Sequence, residues 1–348
     1  MKKIFIMQIV FTLFLVLAVC FSAIGISCKL TPEGITVLTG DYTSPKLIEL
    51  SVNENQTLNL VFSKEVNLRN LSIIDGETKD IVFSEDKLQI ITDDNLMIDV
   101  IFQGKTECGK SYNLLGIAED KKGSSLSFEL EFSGFNENVC SLLFSEVRTE
   151  YSKGKIEFVE FLVTNSGNLA GIEFLCANGK NVLEYVFPSC EVNKGEYIVL
   201  HCRLLEETCI DEIGEDLNEC KATDSCDNAR DFWINNQTAC IGKTDVILLK
   251  ERKGGKIVDA LLFAEEDKDW KAETMMQEFA DLAFAGGVWQ GGSEVTHAFC
   301  SKGVTTTRTI SRIRFDNVEE ANCPENWIVT KTSGATPGNE NCTQPYVN

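Results

Sequence analysis

The stretch LLFSEVRTEYSKGKIEFVEF, Leu142 to Phe161, holds two short runs of apolar and β-branched residues that meet at Lys153–Gly154. Runs of this kind flanking a turn signal predict a strand, a turn and a second strand. Three glutamates, Glu146, Glu157 and Glu160, lie among the apolar residues. Paired carboxylates are the acid and base of many hydrolases. Successive side chains of a strand point to opposite faces. Glu160 therefore shares a side with Ile156 and Phe158, and Glu157 shares the other with Val159 and Phe161. Glu157 and Glu160 form no local pair, and Glu146 approaches either one only through strand pairing. The glutamates are read as strand-end and surface positions of a sandwich. Phe144, Phe158 and Phe161 are its expected apolar anchors.

On the N-terminal side, residues 46–135 keep a period of two. In LSFELEF, Leu126, Phe128, Leu130 and Phe132 face one way; in NLMIDVIF, Leu96, Ile98, Val100 and Phe102 do the same. Turn chemistry in IDGET, TDDN and EDKKGSS separates the runs. Six to eight short strands without helical spacing predict a β-sandwich. A linker follows at 136–140, and a second region spans 141–341. There TDVILLKERKGGKIVDALLF predicts a hairpin with Gly254 and Gly255 in its turn, and RTISRIRF a further strand. One helix interrupts: Met275, Phe279 and Leu282 fall at i, i+4 and i+7, and Gly286 closes it. The expected fold class is all-β, two tandem immunoglobulin-like sandwiches, the second with a cysteine-rich loop insertion and a short helix.

The first residues, MKKIFIMQIVFTLFLVLAVCFSAIGISC, pair two lysines with a long apolar run. This predicts an export signal over 1–27 and, at Cys28, a lipid-anchored tether over 28–45. Cys20 as the lipidated residue, and a retained helix long enough to span a bilayer, are the alternatives. The chain carries 14 cysteines. In an exported protein these predict disulfides, with Cys108, Cys140, Cys176, Cys190, Cys202, Cys209, Cys220, Cys226, Cys240, Cys300, Cys323 and Cys342 as candidates. Cys202, Cys209, Cys220, Cys226 and Cys240 are expected to pair largely with one another, and Cys108 with Cys140. No CxxC pair is present, which argues against a zinc site. The net charge of −21 argues against nucleic acid as a partner.

The second region resembles a bacterial lamin-tail domain, an immunoglobulin-like sandwich. The matching pieces are LLFSEVRTEYSKGKIEFVEF, NLAGIEFL, GEYIVLHC, DVILLKERKGGKIVDALLF and TRTISRI…NWIVTKTSGATPGNEN, in that order. Insertions near 202–240 and 264–300 depart from the pattern. The first region, with LVFSKEV and LSFELEFSGFN, is similar to bacterial Ig-like domains. The resemblance implies a spirochaete-like lipoprotein of two domains and lends no settled activity.

Motifs of chemistry are sparse. No GxSxG, HExxH or P-loop sequence occurs. His201 lies beside Cys202, a nucleophile pairing in type, yet neighbours on a strand point apart. Asp224, Asp227, Asn228 and Asp231 crowd the acidic insertion and are candidates for calcium, against the plainer reading of a solvated loop. Trp233, Trp270, Trp289 and Trp327 are weighed as a carbohydrate platform against core packing, which is favoured. The expected function is a non-enzymatic, membrane-anchored binding or adhesion module of the cell envelope with an unknown protein or glycan partner. A purely structural envelope protein, a calcium- or carbohydrate-binding accessory module and a hydrolase are the alternatives.

Overall fold

The structure, a computed structural model, describes residues 41, 43–53, 57–179, 181–252, 255–315 and 321–347. The expected signal segment, Cys20, Cys28, most of the tether and Gly254 lie outside them. No helix among the described residues is long and apolar enough to cross a membrane. Ser44–Asn348 is one compact unit, and it holds two large hydrophobic cores.

The first core lies between two four-stranded antiparallel sheets. Their strands are β1 (Leu47–Asn53), β2 (Thr57–Phe62), β3 (Asn67–Asp75), β4 (Ile81–Phe83), β5 (Leu88–Ile91), β6 (Met97–Phe102), β7 (Ser111–Glu119) and β8 (Ser125–Ser133). The sheet orders are β1-β2-β6-β5 and β4-β3-β7-β8. Alternate residues supply the core, Leu58, Leu60 and Phe62 from β2 and Ile98, Val100 and Phe102 from β6, as the period of two requires. At Gly116 side chains of the flanking strands β3 and β8 close over the β7 backbone. A Cβ there would meet Leu71 at 2.5 Å and the Phe128 ring at 2.6 Å.

The second core has more strands: β9 (Ser141–Arg148), β10 (Phe158–Asn165), β11 (Gly167–Asn168), β12 (Glu173–Cys176), β13 (Leu183–Val186), β14 (Glu191–Val192), β15 (Tyr197–His201), β16 (Arg230–Trp233), β17 (Asp245–Lys250), β18 (Ile257–Ala264), β19 (Phe299–Cys300), β20 (Ile310–Arg312) and β21 (Trp327–Val329). They form a six-stranded sheet, β16-β15-β10-β9-β20-β21, a five-stranded sheet, β13-β12-β17-β18-β19, and the small pair β11-β14. The opening stretch is β9, a turn at Lys153–Gly154 with Gly154 at φ +80°, and β10. Its inner face sends Phe144, Val147, Val159 and Phe161 into the core. Phe161 packs on Phe144, Phe174 and Phe187 with centroids 5.3, 6.2 and 5.6 Å away. Each such ring is worth roughly 1.5–3 kcal/mol on burial.

Two readings of local structure need correction. The acidic segment is not all loop, because it ends in β16, which adds to β15 in parallel. The helix is present as α1 (Met276–Ala285), with the Gly286 N–H bonded to Leu282 O. Its buried face, however, is Met276, Phe279, Ala280 and Ala283, while Leu282 is exposed. The two alanines let the helix lie close against the core, and the bulkier Leu282 turns outward. The sandwiches are tied through the linker, where Asn136 Nδ2 donates to the carbonyls of Asn168 (2.9 Å) and Ala170 (3.0 Å).

Candidate functional site

An antiparallel sheet normally keeps one face dry and one face wet. Here both faces of the six-stranded sheet are covered. The register places Glu146, Arg148, Phe158, Glu160, Val199, His201, Asp231, Trp233 and Ser311 on the face away from the main core. All nine are buried. The cover is the cysteine-rich insertion, which packs in two small apolar clusters. Ile156, Cys209, Cys220 and Ala222 close over Trp233, and Cys226 and Ala229 over Phe158 and Val199. Residues 336–341 also approach this face: Thr336 and Gly338 donate to its glutamates, and Asn341 to Ser145 O. Polar residues that alternation assigns to water are thereby sealed, and their partners decide what the face can do.

Glu160 and Glu146 are direct cross-strand partners, so the strand pairing left open from the sequence does bring two carboxylates together. Glu146 accepts from Thr309 Oγ1, Thr336 N and Thr336 Oγ1. Glu160 accepts from Gly338 N at 2.6 Å, and its Oε1 has no partner. Burial, and then the Glu146 charge, hold the Glu160 carboxyl well above the usual range. Burial also raises Glu146. With more donors on Glu146, Glu160 is the member that keeps a proton. The reading of these glutamates as surface positions is therefore corrected: Glu146, Glu157 and Glu160 are all buried. Glu157, on the other side of the strand, is held by Arg203 through Nε (2.7 Å) and Nη2 (2.6 Å).

The acidic insertion does not assemble a calcium cluster from Asp224, Asp227, Asn228 and Asp231. Asp224 Oδ2 is taken by Arg148 Nη1 and Ile156 N, both at 2.7 Å. Asp227 and Asn228 are exposed, and Asn228 Nδ2 donates to Asn339. Asp231 belongs to β16 and turns inward. Its Oδ1 lies 2.8 Å from His201 Nε2, and its Oδ2 accepts Cys226 N at 2.7 Å. His201 is stacked on Trp233 at 3.9 Å with an interplanar angle of 11°, and its Nδ1 has no partner. Burial, then Asp231 and Glu160, hold the Cys226 thiol protonated well above its ordinary range. In sequence His201 lies beside Cys202, whose side chain points into the main core. The side chains that His201 meets, Asp231 and Cys226, are 25 and more residues away, and no local spacing announces them.

The twelve described cysteines are free thiols. Cys202 and Cys240, the two ends of the insertion, are sulfur neighbours in the main core, and Cys176 donates to Cys240 O at 2.9 Å. Cys209 and Cys220 share one of the small clusters. The expected partnership of Cys108 with Cys140 is corrected. Cys140 lies just before β9, within the second core beside Cys190, and Cys108 lies against Ser189. Nor do the tryptophans form an exposed platform, since Trp233, Trp289 and Trp327 are buried and Trp270 Nε1 donates to Ser293 O.

Two grooves are open near the linker. One, of about 500 Å3, is lined by Leu50, Ser51 and Val52 of β1, by Phe132 to Asn136, and by Ala170, Glu184, Val186, Glu251 and Arg252. The other, of about 620 Å3, runs along Leu142, Leu143, Leu162 and Val163 to Lys194 and Lys256.

An uncharacterized protein of Treponema pallidum (strain Nichols) is 36% identical over 198 residues, which are 55% of this chain and 50% of that protein. The chain thus spans about half the length of that relative. A crystal structure of a DUF4785 family protein from Legionella pneumophila is similar over 45% of each chain at 12% identity, with a TM-score of 0.20. That likeness bears no weight for fold or function. The family described as a protein second domain (TP_1001_2nd) matches residues 140–329, from the eve of β9 to the end of β21, so the chain belongs to that family through its second sandwich.

Proposed function

We propose that the protein is an exported lipoprotein, anchored through Cys28, that works without catalysis as a binding module of the cell envelope. We read its second sandwich as a lamin-tail-like domain behind an Ig-like one. The observation that carries the binding reading is the junction groove. Two sheet edges line it, β1 from the first sandwich and β13 from the second. An edge strand offers unpaired N–H and C=O groups to an incoming chain. Leu50, Val52, Phe135 and Val186 supply apolar pockets between Glu131, Glu184, Glu251 and Arg252. This chemistry suits an extended segment of a protein partner better than a glycan. The convergent carboxylates favour the non-catalytic reading, since they lie buried beneath residues 336–341 and the neighbouring insertion.

The test has two arms. Palmitate labelling of cells should mark the wild type and not Cys28→Ala. A photo-crosslinker at Val186, in the groove, should capture a specific envelope protein that one at exposed Ile213 does not. Equal capture at both positions, or none at either, would favour a purely structural envelope protein.

A further inference from the structure

The covered face holds a group of side chains that its packing alone does not explain. His201, Cys226 and Asp231 place one ligand atom each within 4.8 Å of one another. They come from two adjacent strands and from the insertion, and all three are buried. The set is mixed: an imidazole nitrogen, a thiol sulfur and a carboxylate oxygen are the three donor types of zinc sites. His201 Nε2 and Asp231 Oδ1 are 2.8 Å apart, so they need part by only about 0.6 Å to reach the roughly 3.4 Å that separates two ligand atoms about 2.1 Å from a tetrahedral zinc ion. The other ring nitrogen, Nδ1, is sealed from solvent with no partner, so among the described residues Asp231 is the only polar group that holds the imidazole in this structure.

The surroundings have the form of an outer shell. Asp231 Oδ2 is held by Cys226 N, Asp231 N donates to Glu212 Oε2 at 2.9 Å, and Glu212 Oε1 accepts Cys220 N at 2.9 Å. The imidazole is fixed by its stack on Trp233. Such partners orient ligands and tune their basicity. Cys226 also differs from the insertion's other cysteines. Cys202 has Cys240 beside it and Cys209 has Cys220, whereas the charged and titratable groups facing Cys226 are Asp231, Glu160, Asp224 and Arg148.

We propose that His201, Cys226 and Asp231 bind a divalent transition-metal ion of the zinc class, which clamps the cysteine-rich insertion onto the outer face of the sheet. On binding, the Cys226 thiol gives up its proton to solvent and ligates as thiolate. With the Asp231 carboxylate and neutral His201, the two negative charges balance the dication, and the buried cluster becomes neutral. The three protein ligands leave the fourth tetrahedral position to a water molecule; because the site is buried beneath the insertion it acts in structure, and its binding free energy adds to folding.

The experiment uses the full chain, purified under reducing conditions, stripped of metal and titrated with cobalt(II) as a spectroscopic probe and with zinc. Cobalt is expected to bind at about one equivalent, with a sulfur-to-cobalt charge-transfer band and the visible bands of a tetrahedral site. Cys226→Ser should abolish the charge-transfer band, and His201→Gln should weaken binding at least about tenfold. Cys240→Ser, in the separate thiol cluster, should leave the spectrum intact. Zinc should raise the melting temperature of the wild type and not of Cys226→Ser. Far-UV circular dichroism confirms that each variant is folded, and Asp231→Asn replaces any that is not. A cobalt spectrum that survives in Cys226→Ser, or that vanishes in Cys240→Ser, overturns the assignment. So does the absence of stoichiometric binding.

Discussion

Glu160 and Glu146 stand directly opposite each other across the β9–β10 ladder, both without solvent exposure. Like charges so placed repel, and a second ionisation would leave an uncompensated carboxylate in the interior. The protein manages this by inequality, with Thr309 and Thr336 serving Glu146 and one glycine N–H serving Glu160.

A pH dependence follows. The carboxyl of Glu160 lies well above 4.5 when folded, for reasons of burial and of Glu146. The folded state therefore holds a proton that the unfolded state has released. Stability from this group is full below about 4.5 and is lost as pH rises through the folded value. Glu160→Gln, a neutral isostere, should flatten part of that decline and leave the protein more stable than the wild type at pH 8. Urea midpoints at pH 5 and pH 8 measure it. A variant with the full wild-type decline would mean that another group carries the proton.

The buried ion pair of Asp259 and Arg312 gives a second expectation. Arg312 Nη1 lies 2.9 Å from Asp259 Oδ2, and that oxygen also accepts Phe144 N at 2.9 Å. One carboxylate thus joins β18, β20 and β9. Asp259→Ala strands a guanidinium in the interior and should cost roughly 3–5 kcal/mol. Chemical denaturation checks it, and a loss under 1 kcal/mol would show that water reaches Arg312.

Much of the fold is written in local pattern. Alternation marked β6 and β8, and Lys153–Gly154 marked the turn of the opening hairpin. The outer face was not legible, for a physical reason. Alternation tells which residues leave the core, not what later covers them. Glu146, Glu160, His201 and Asp231 obey the rule for outward positions and become buried because residues 203–229 and 336–341 fold back over that face. The β16 strand was missed because RDFW is four residues long and mixes charge with aromatics. The positions of Cys140 and Cys108 depend on where the linker meets the second sandwich, which no spacing encodes.

The thiols offer a third expectation. Cys202 and Cys240 are sulfur neighbours at the two ends of the insertion, with Cys176 bonded to the Cys240 carbonyl rather than to a sulfur. In an oxidising glutathione buffer, peptide mapping should find Cys202 joined to Cys240, and Cys108 not joined to Cys140. Closing the insertion should add about 2–4 kcal/mol. A map dominated by Cys176–Cys240 would change the assignment.

Phe158 tests whether the cover and the sheet are one cooperative structure. Its ring lies on the outer face against Val199, Cys226 and Ala229, with no solvent exposure. The Arg148 guanidinium sits 4.7 Å above the ring centroid and binds Asp224 of the insertion. Removing the ring deletes the apolar floor of the cover and leaves a cavity beneath that ion pair. Phe158→Ala should cost roughly 3–5 kcal/mol. Because the main core lies on the opposite face of the sheet, the first loss should be local: the insertion lifts before the sandwich melts. Trypsin should then cut at exposed Lys221 faster than in the wild type, at temperatures where the far-UV spectrum is unchanged, and crosslinking in the junction groove should persist. If Lys221 stays protected until the whole chain unfolds, the insertion is an inseparable part of the sandwich.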